Sequence, residues 1–249
     1  MKVTVLDLGY VEFIEAWGTG KAGGVERLQR EDAVDYEVGI VEAARQSTQG
    51  SFKGWDEDMG LMRTLFNHQA NQSTPFEAAG MTIEVCAPIM VFREWHRHRT
   101  QSYNEASARY KPLEADYYRP NLLNLLERSV VTTRNKQAQT VTSARKLTDK
   151  DAEDWLTCLD DLYAYAEKFY QLGLKMGVPK ELARVGMPVG HFSTMRATAN
   201  LRNWLGFLTL RLDEKAQWEI RQYAHAVNEL IRQYFPHTHQ LFWEAQNGA

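Results

Sequence analysis

Residues 2–17 alternate apolar and polar side chains, the period of a strand or hairpin. The glycine-rich GTGKAGG (18–24) that follows matches neither nucleotide-loop spacing and reads as a turn. VGIVEAARQS (38–47) and DEDMGLMRTLFNHQ (56–69) have helical spacing, the second opening on acids that suit a helix N-terminus. Thr74, Pro75 and Glu77 form a capped helix start, with a hydroxyl at N-cap, proline at the first position and glutamate at the third. MTIEVCA (81–87) alternates as a strand, and Pro88 starts a helix that IMVFREWHRHR carries to Arg99. Residues 111–150 are polar and irregular and predict a mobile loop or lid. A long helix is expected over 152–176, a short one in PKELARVGMP, and a strand in GHFSTMRATAN. Residues 201–234 read as helical, as two helices breaking near Asp213. This order predicts one α+β domain over 1–249, an antiparallel or mixed sheet packed by helices.

Composition narrows the picture. The chain has 249 residues, 44% of them hydrophobic, enough for a sizeable core. Its net charge of -3 gives no general attraction to nucleic acid or to anionic membrane, so neither is expected as a partner. Cys86 and Cys158 stand far apart, forming neither a disulfide framework nor a metal cluster; no metal site is expected. Acids interrupt the N-terminal stretch, and no window holds the roughly 18 apolar residues of a membrane span. A cytoplasmic protein is expected.

Against that mild acidity, EWHRHRTQSYNEASARY (94–110) gathers three arginines and two histidines. Arg97, Arg99 and Arg109 are permanent cations suited to phosphate, and Ser107 adds a hydroxyl to such a cradle. Asn104 and Glu105 could address the edge of a heterocycle. The residues thus suit a phosphorylated heterocycle; the alternative is a salt-bridged helix end.

The spacing Arg97-His98-Arg99, seven residues, then Ser107 resembles the signature of the flavin-dependent thymidylate synthases. SYNEASARY, TPFE (74–77), ELARVGMP (181–188), NLRNWL (200–205) and LTLRLDEKAQWEIRQYA (208–224) also resemble blocks of that family, over roughly 35–240. The resemblance implies the thymidylate synthase-complementing protein fold and C5-methylation of dUMP. It further implies methylenetetrahydrofolate as carbon donor, NADPH as reductant, FAD as cofactor, and a homotetramer with sites at subunit interfaces. By the match, Thr74, Arg97, His98, Arg99, Glu105, Asn200, Leu201, Arg202 and Gly206 belong to the flavin side. Glu94, Trp95, His96, Arg97, Glu105, Ala106, Ser107, Ala108, Arg109 and Arg184 belong to the nucleotide side. Arg211 is implied to lie against the pyrimidine and favour its ionisation at N3, as the catalytic residue. No activated cysteine is needed, which suits Cys86 and Cys158 as core residues.

The chain departs from the family pattern at some positions. Gln72 and Ala78 stand where histidines are usual, Glu94 where glutamine is common, Gly206 at a position often polar, and Lys215 where histidine is frequent. These changes fall around the flavin and pyrimidine and leave the phosphate set intact. Some relatives in nucleoside-antibiotic pathways methylate UMP as well as dUMP, which is the alternative here, beside a non-catalytic flavin- or nucleotide-binding homologue. Glu94 is the candidate acceptor for a ribose 2′-hydroxyl, or else the ion-pair partner of Arg97 or His98 on one helix.

Overall fold

Strand β3 (Gly80–Pro88) carries the apolar alternation at the centre of the sheet and pairs on both sides. In the computed structural model, which describes residues 1–21, 34–67, 73–129 and 146–248, five strands run in the order β1-β2-β3-β5-β4, every pair antiparallel. β1 (Lys2–Val5) and β2 (Gly9–Trp17) are the expected hairpin, and β5 is Phe192–Asn200. The edge strand β4 (Ser102–Glu105) was not foreseen. Register sorts the faces. Phe13, Ile83, Ala197 and Tyr103 form one row, turned to the core; Glu12, Glu84, Arg196 and Asn104 form the next, turned away.

The helices are α1 (Val38–Ala44), α2 (Trp55–Asn67), α3 (Ile89–Trp95), α4 (Leu122–Arg128) and α5 (Asp149–Lys175). After them come α6 (Lys180–Ala183), α7 (Leu201–Arg211), α8 (Trp218–Tyr234) and α9 (Pro236–Asn247). The apolar sides of α3, α7 and α8 supply Trp95, Trp204, Phe207 and Tyr223 to the core under the sheet. Two polar tips are satisfied there by strand carbonyls: Trp204 Nε1 donates to Met81 O (3.1 Å) and the Tyr223 hydroxyl to Cys86 O (2.9 Å).

Several expectations need correction. The helix after Pro88 stops at Trp95, four residues before Arg99. Thr74 opens a short 3-10 turn, Thr74–Ala78, and no longer helix. Within 111–150, Asn121 caps α4 by accepting from Asn124 N, and Thr148 with Asp151 makes a capping box that starts α5. The remainder of that expected loop, 130–145, lies outside the described residues, as do residues 22–24 of the glycine-rich turn. Helix α9 was missed because its cap is remote: Glu37, fully buried, accepts from the backbone N–H of His237 (3.0 Å) and Thr238 (2.6 Å).

Candidate active site

The cationic stretch is a turn between α3 and β4. The hydroxyl of Tyr103 lies 3.1 Å from the carbonyl of Trp95 and 2.8 Å from that of His98, and it takes over carbonyls that a longer helix would have used. The Trp95 indole N–H donates to Gln101 Oε1 (3.0 Å), and this closes the turn. Trp95, expected on the nucleotide side, has a fully buried ring that packs 4.6 Å from Phe207. His96 is half-buried, its Nε2 3.2 Å from Met195 Sδ and its ring edge-on to Tyr103. Arg97 and Arg99 point outward, with the Arg97 side chain 70% exposed.

At the last position of α7, Arg211 reaches back to this turn. Its Nε donates to His98 Nε2 (2.9 Å), Nη2 to the backbone carbonyl of Glu94 (2.9 Å) and Nη1 to Glu94 Oε2 (3.2 Å). Burial, then the Arg211 charge, pushes His98 down to about 4, so the imidazole is neutral and carries its proton on Nδ1. A guanidinium has five N–H groups, so two remain, one on each terminal nitrogen, without a partner among the described residues. Glu94 also pairs with Arg97 (3.3 Å), the ion pair that the sequence offered as an alternative, although Arg97 lies just past the end of the helix.

Glu105 ends β4, exposed, and the chain leaves the sheet with Ala106 N donating to Thr194 O (2.8 Å). Ser107 Oγ accepts from Arg109 N (3.3 Å), and Ala108 is buried beneath them. A cavity of about 310 Å³ lies here, lined by Ala106, Ser107, Ala108, Lys111, His191 and Thr194 among others, within the size range of small-molecule sites. The sequence did not single out Glu181, which pairs with Arg109 Nε (2.8 Å), or His191. His191 Nε2 donates to Glu114 O (2.7 Å), and its Nδ1 is buried without a partner among the described residues. Arg184 is exposed in the turn that follows α6.

The third group of residues sits where β5 meets α7. Asn200 spends its side chain as N-cap, accepting from Asn203 N (2.9 Å). Arg202 donates to Glu77, next to the exposed Thr74. Leu201, expected beside the flavin, is fully buried and its N–H donates to Ala79 O (2.7 Å). Gly206 is half-buried, while Ala78 and Lys215 are exposed; Gln72 lies outside the described residues. Ser73 Oγ and Gln101 Nε2 are buried with no partner among the described residues, one beside Thr74 and one in the turn after Arg99. Thr194 and Asn200 stand six residue steps apart along β5, roughly 20 Å, so the phosphate loop and the Thr74 group stand well apart within one chain.

Comparison with known proteins fits this arrangement. The family model for thymidylate synthase complementing protein matches residues 31–237. A flavin-dependent thymidylate synthase from Thermotoga neapolitana is 33% identical over 242 residues, 97% of this chain and 94% of the relative. Its counterpart from Thermus thermophilus is 34% identical over 98% of this chain and 78% of its own length. Among solved structures, the UMP/dUMP methylase PolB from Streptomyces cacaoi bound with 5-Br dUMP superposes with a TM-score of 0.74 at 28% identity. The match covers 96% of this chain and 97% of that one. Matched by that model over most of its length and by these enzymes nearly end to end, the chain belongs to the thymidylate synthase complementing protein family.

Proposed function

We propose that this protein is a flavin-dependent thymidylate synthase that methylates dUMP at C5, with methylenetetrahydrofolate and NADPH as co-substrates. The observation that carries the reading is Arg211, fixed by His98 and Glu94 at the end of the signature with two N–H groups to spare. Those two donors suit an imide edge that becomes anionic, and a preorganised guanidinium stabilises such charge without moving. Ser107, Arg109 and Arg184 would hold the phosphate, with Arg109 leaving Glu181 for it. No thiol is ready to act as nucleophile in this part of the fold. Burial, then Asp116, pushes Cys86 up to about 11, the reverse of an activated cysteine.

The donors present fit FAD. Exposed Arg97 and Arg99 suit a pyrophosphate, and the orphaned Ser73 Oγ and Gln101 Nε2 lie in the two segments assigned to the flavin, alongside Thr74, Asn200 and Arg202. When bound, FAD would supply the hydride chemistry between NADPH and the one-carbon unit. UMP is a second acceptor to consider, because the neighbouring fold of PolB is known bound with 5-Br UMP as well as 5-Br dUMP.

The gap of roughly 20 Å along β5 favours sites completed by other copies of the chain, in a homotetramer. Helix α5 offers a surface for this. Trp155, Leu162, Tyr165, Phe169, Leu172 and Met176 recur at steps of three, four and seven, and all are exposed, forming one apolar stripe. The test joins assembly to cofactor. The parent protein should quench FAD fluorescence at micromolar concentration and sediment as a tetramer. Leu162→Glu with Phe169→Glu should give smaller species that bind FAD at least tenfold more weakly. A parent that leaves FAD fluorescence unchanged would refute the flavin reading; a monomer that binds FAD fully would refute the shared site.

A further inference from the structure

Glu94 meets Arg211 across 117 positions of sequence, and the contact holds more restraint than geometry alone requires. The plane of the guanidinium is already set by two neutral acceptors, the Glu94 carbonyl and His98 Nε2. The carboxylate 3.2 Å from Nη1 therefore contributes chiefly charge. We propose that Glu94 is a positioning residue whose carboxylate sets how much positive charge Arg211 presents to a bound pyrimidine ring. The inference rests on the function proposed above.

Two cations share this one carboxylate. Arg97 is 70% exposed and its pair with Glu94 is well screened, whereas Arg211 is 12% exposed and its pair is screened less. The other titratable groups here are His98, held neutral, and Tyr103, whose hydroxyl is pushed up by burial and faces Arg211. No second carboxylate pairs with Arg211 among the described residues. Glu94 is thus the group that offsets the guanidinium. When Arg97 turns toward an anionic ligand, the carboxylate is left to Arg211 alone, and the cation felt by the ring weakens. An imide ionises more readily beside an uncompensated guanidinium, so removing the carboxylate should lower the imide pKa.

Glu94→Gln separates charge from position, because the amide oxygen still accepts from Nη1. The probe is 5-bromo-dUMP, whose ring ionisation is followed by ultraviolet absorbance on the protein. In Glu94→Gln the bound imide should ionise about one pH unit lower than on the parent. The acid limb of kcat should move the same way, with KM for dUMP within about threefold. In Glu94→Ala, which also loses the acceptor, KM should rise. An imide that ionises at the same pH or higher in Glu94→Gln overturns the proposal. A nucleotide-free measurement separates it from the functional reading: the Arg211 Nε–H should give a protected, slowly exchanging signal by 15N NMR in parent and Glu94→Gln alike. Absence of that signal in the parent sinks the clamp itself. A protected signal in a protein that binds no pyrimidine nucleotide sinks the functional reading, and the role of Glu94 with it.

Discussion

Arg211→Ala is expected to lower kcat for dUMP methylation about 10²–10³-fold while leaving nucleotide binding nearly intact. The guanidinium is held from three sides by His98 and Glu94, whereas the phosphate residues Ser107 and Arg109 lie on a separate loop. Loss of Arg211 removes the donors aimed at the ring and leaves the phosphate cradle as it was. Arg211→Lys should rescue little, because an ammonium is one point charge and cannot meet His98, Glu94 and the ring together. Single-turnover kinetics, with dUMP affinity measured separately, give the answer. A kcat within fivefold of the parent, or a loss confined to KM, contradicts the role assigned to Arg211.

The largest effect on stability should come from Arg128→Ala. Glu219 at the start of α8 is 3% exposed and takes Arg128 through both terminal nitrogens, the Tyr118 hydroxyl (3.1 Å) and Gln217 Nε2 (3.0 Å). Burial alone would raise the Glu219 carboxyl; hydrogen bonding and charge from Arg128 outweigh it and hold the group below its usual range. Removing the arginine strands a buried carboxylate, at a cost of about 3–5 kcal/mol. The sign with pH follows. In the parent, the stabilisation by Glu219 is present above the ordinary carboxylate range and fades as pH falls through its depressed pKa. In Arg128→Ala burial is opposed only by the remaining hydrogen bonds, from Gln217 and the backbone, so the deficit should be greatest at neutral pH and shrink below about pH 5 as Glu219 takes up a proton. Urea unfolding at pH 7 and pH 4.5 measures both. A deficit under about 1 kcal/mol, or one that grows on acidification, goes against this account.

What could be read from the sequence followed short-range signals. Alternation gave the hairpin and β3, and three-four spacing gave α7, α8 and the break between them. The signature block was legible because its residues are close in sequence. Features set by distant partners were not. The helix end at Trp95 depends on Tyr103 and Gln101 folding back over it, so charge placement at a helix C-terminus pointed to a longer helix. Strand β4 has four residues and is exposed at three of them, too short and too polar for alternation to show. Helix α9 takes its cap from Glu37, 200 positions away. Trp95 and Leu201 sit inside family blocks, and the burial of their side chains could not be read from block membership. The joining of Glu94, His98 and Arg211 is likewise tertiary, although each residue had been singled out.

The central claim is the reaction, and one assay meets it directly. Purified protein with FAD, NADPH and methylenetetrahydrofolate should convert dUMP to dTMP over many turnovers, with the methyl carbon traced from labelled folate. Conversion should cease when FAD is stripped and return when it is restored. Bound FAD with no labelled dTMP, under conditions where dUMP is also bound, would contradict the account and leave a binding homologue in its place.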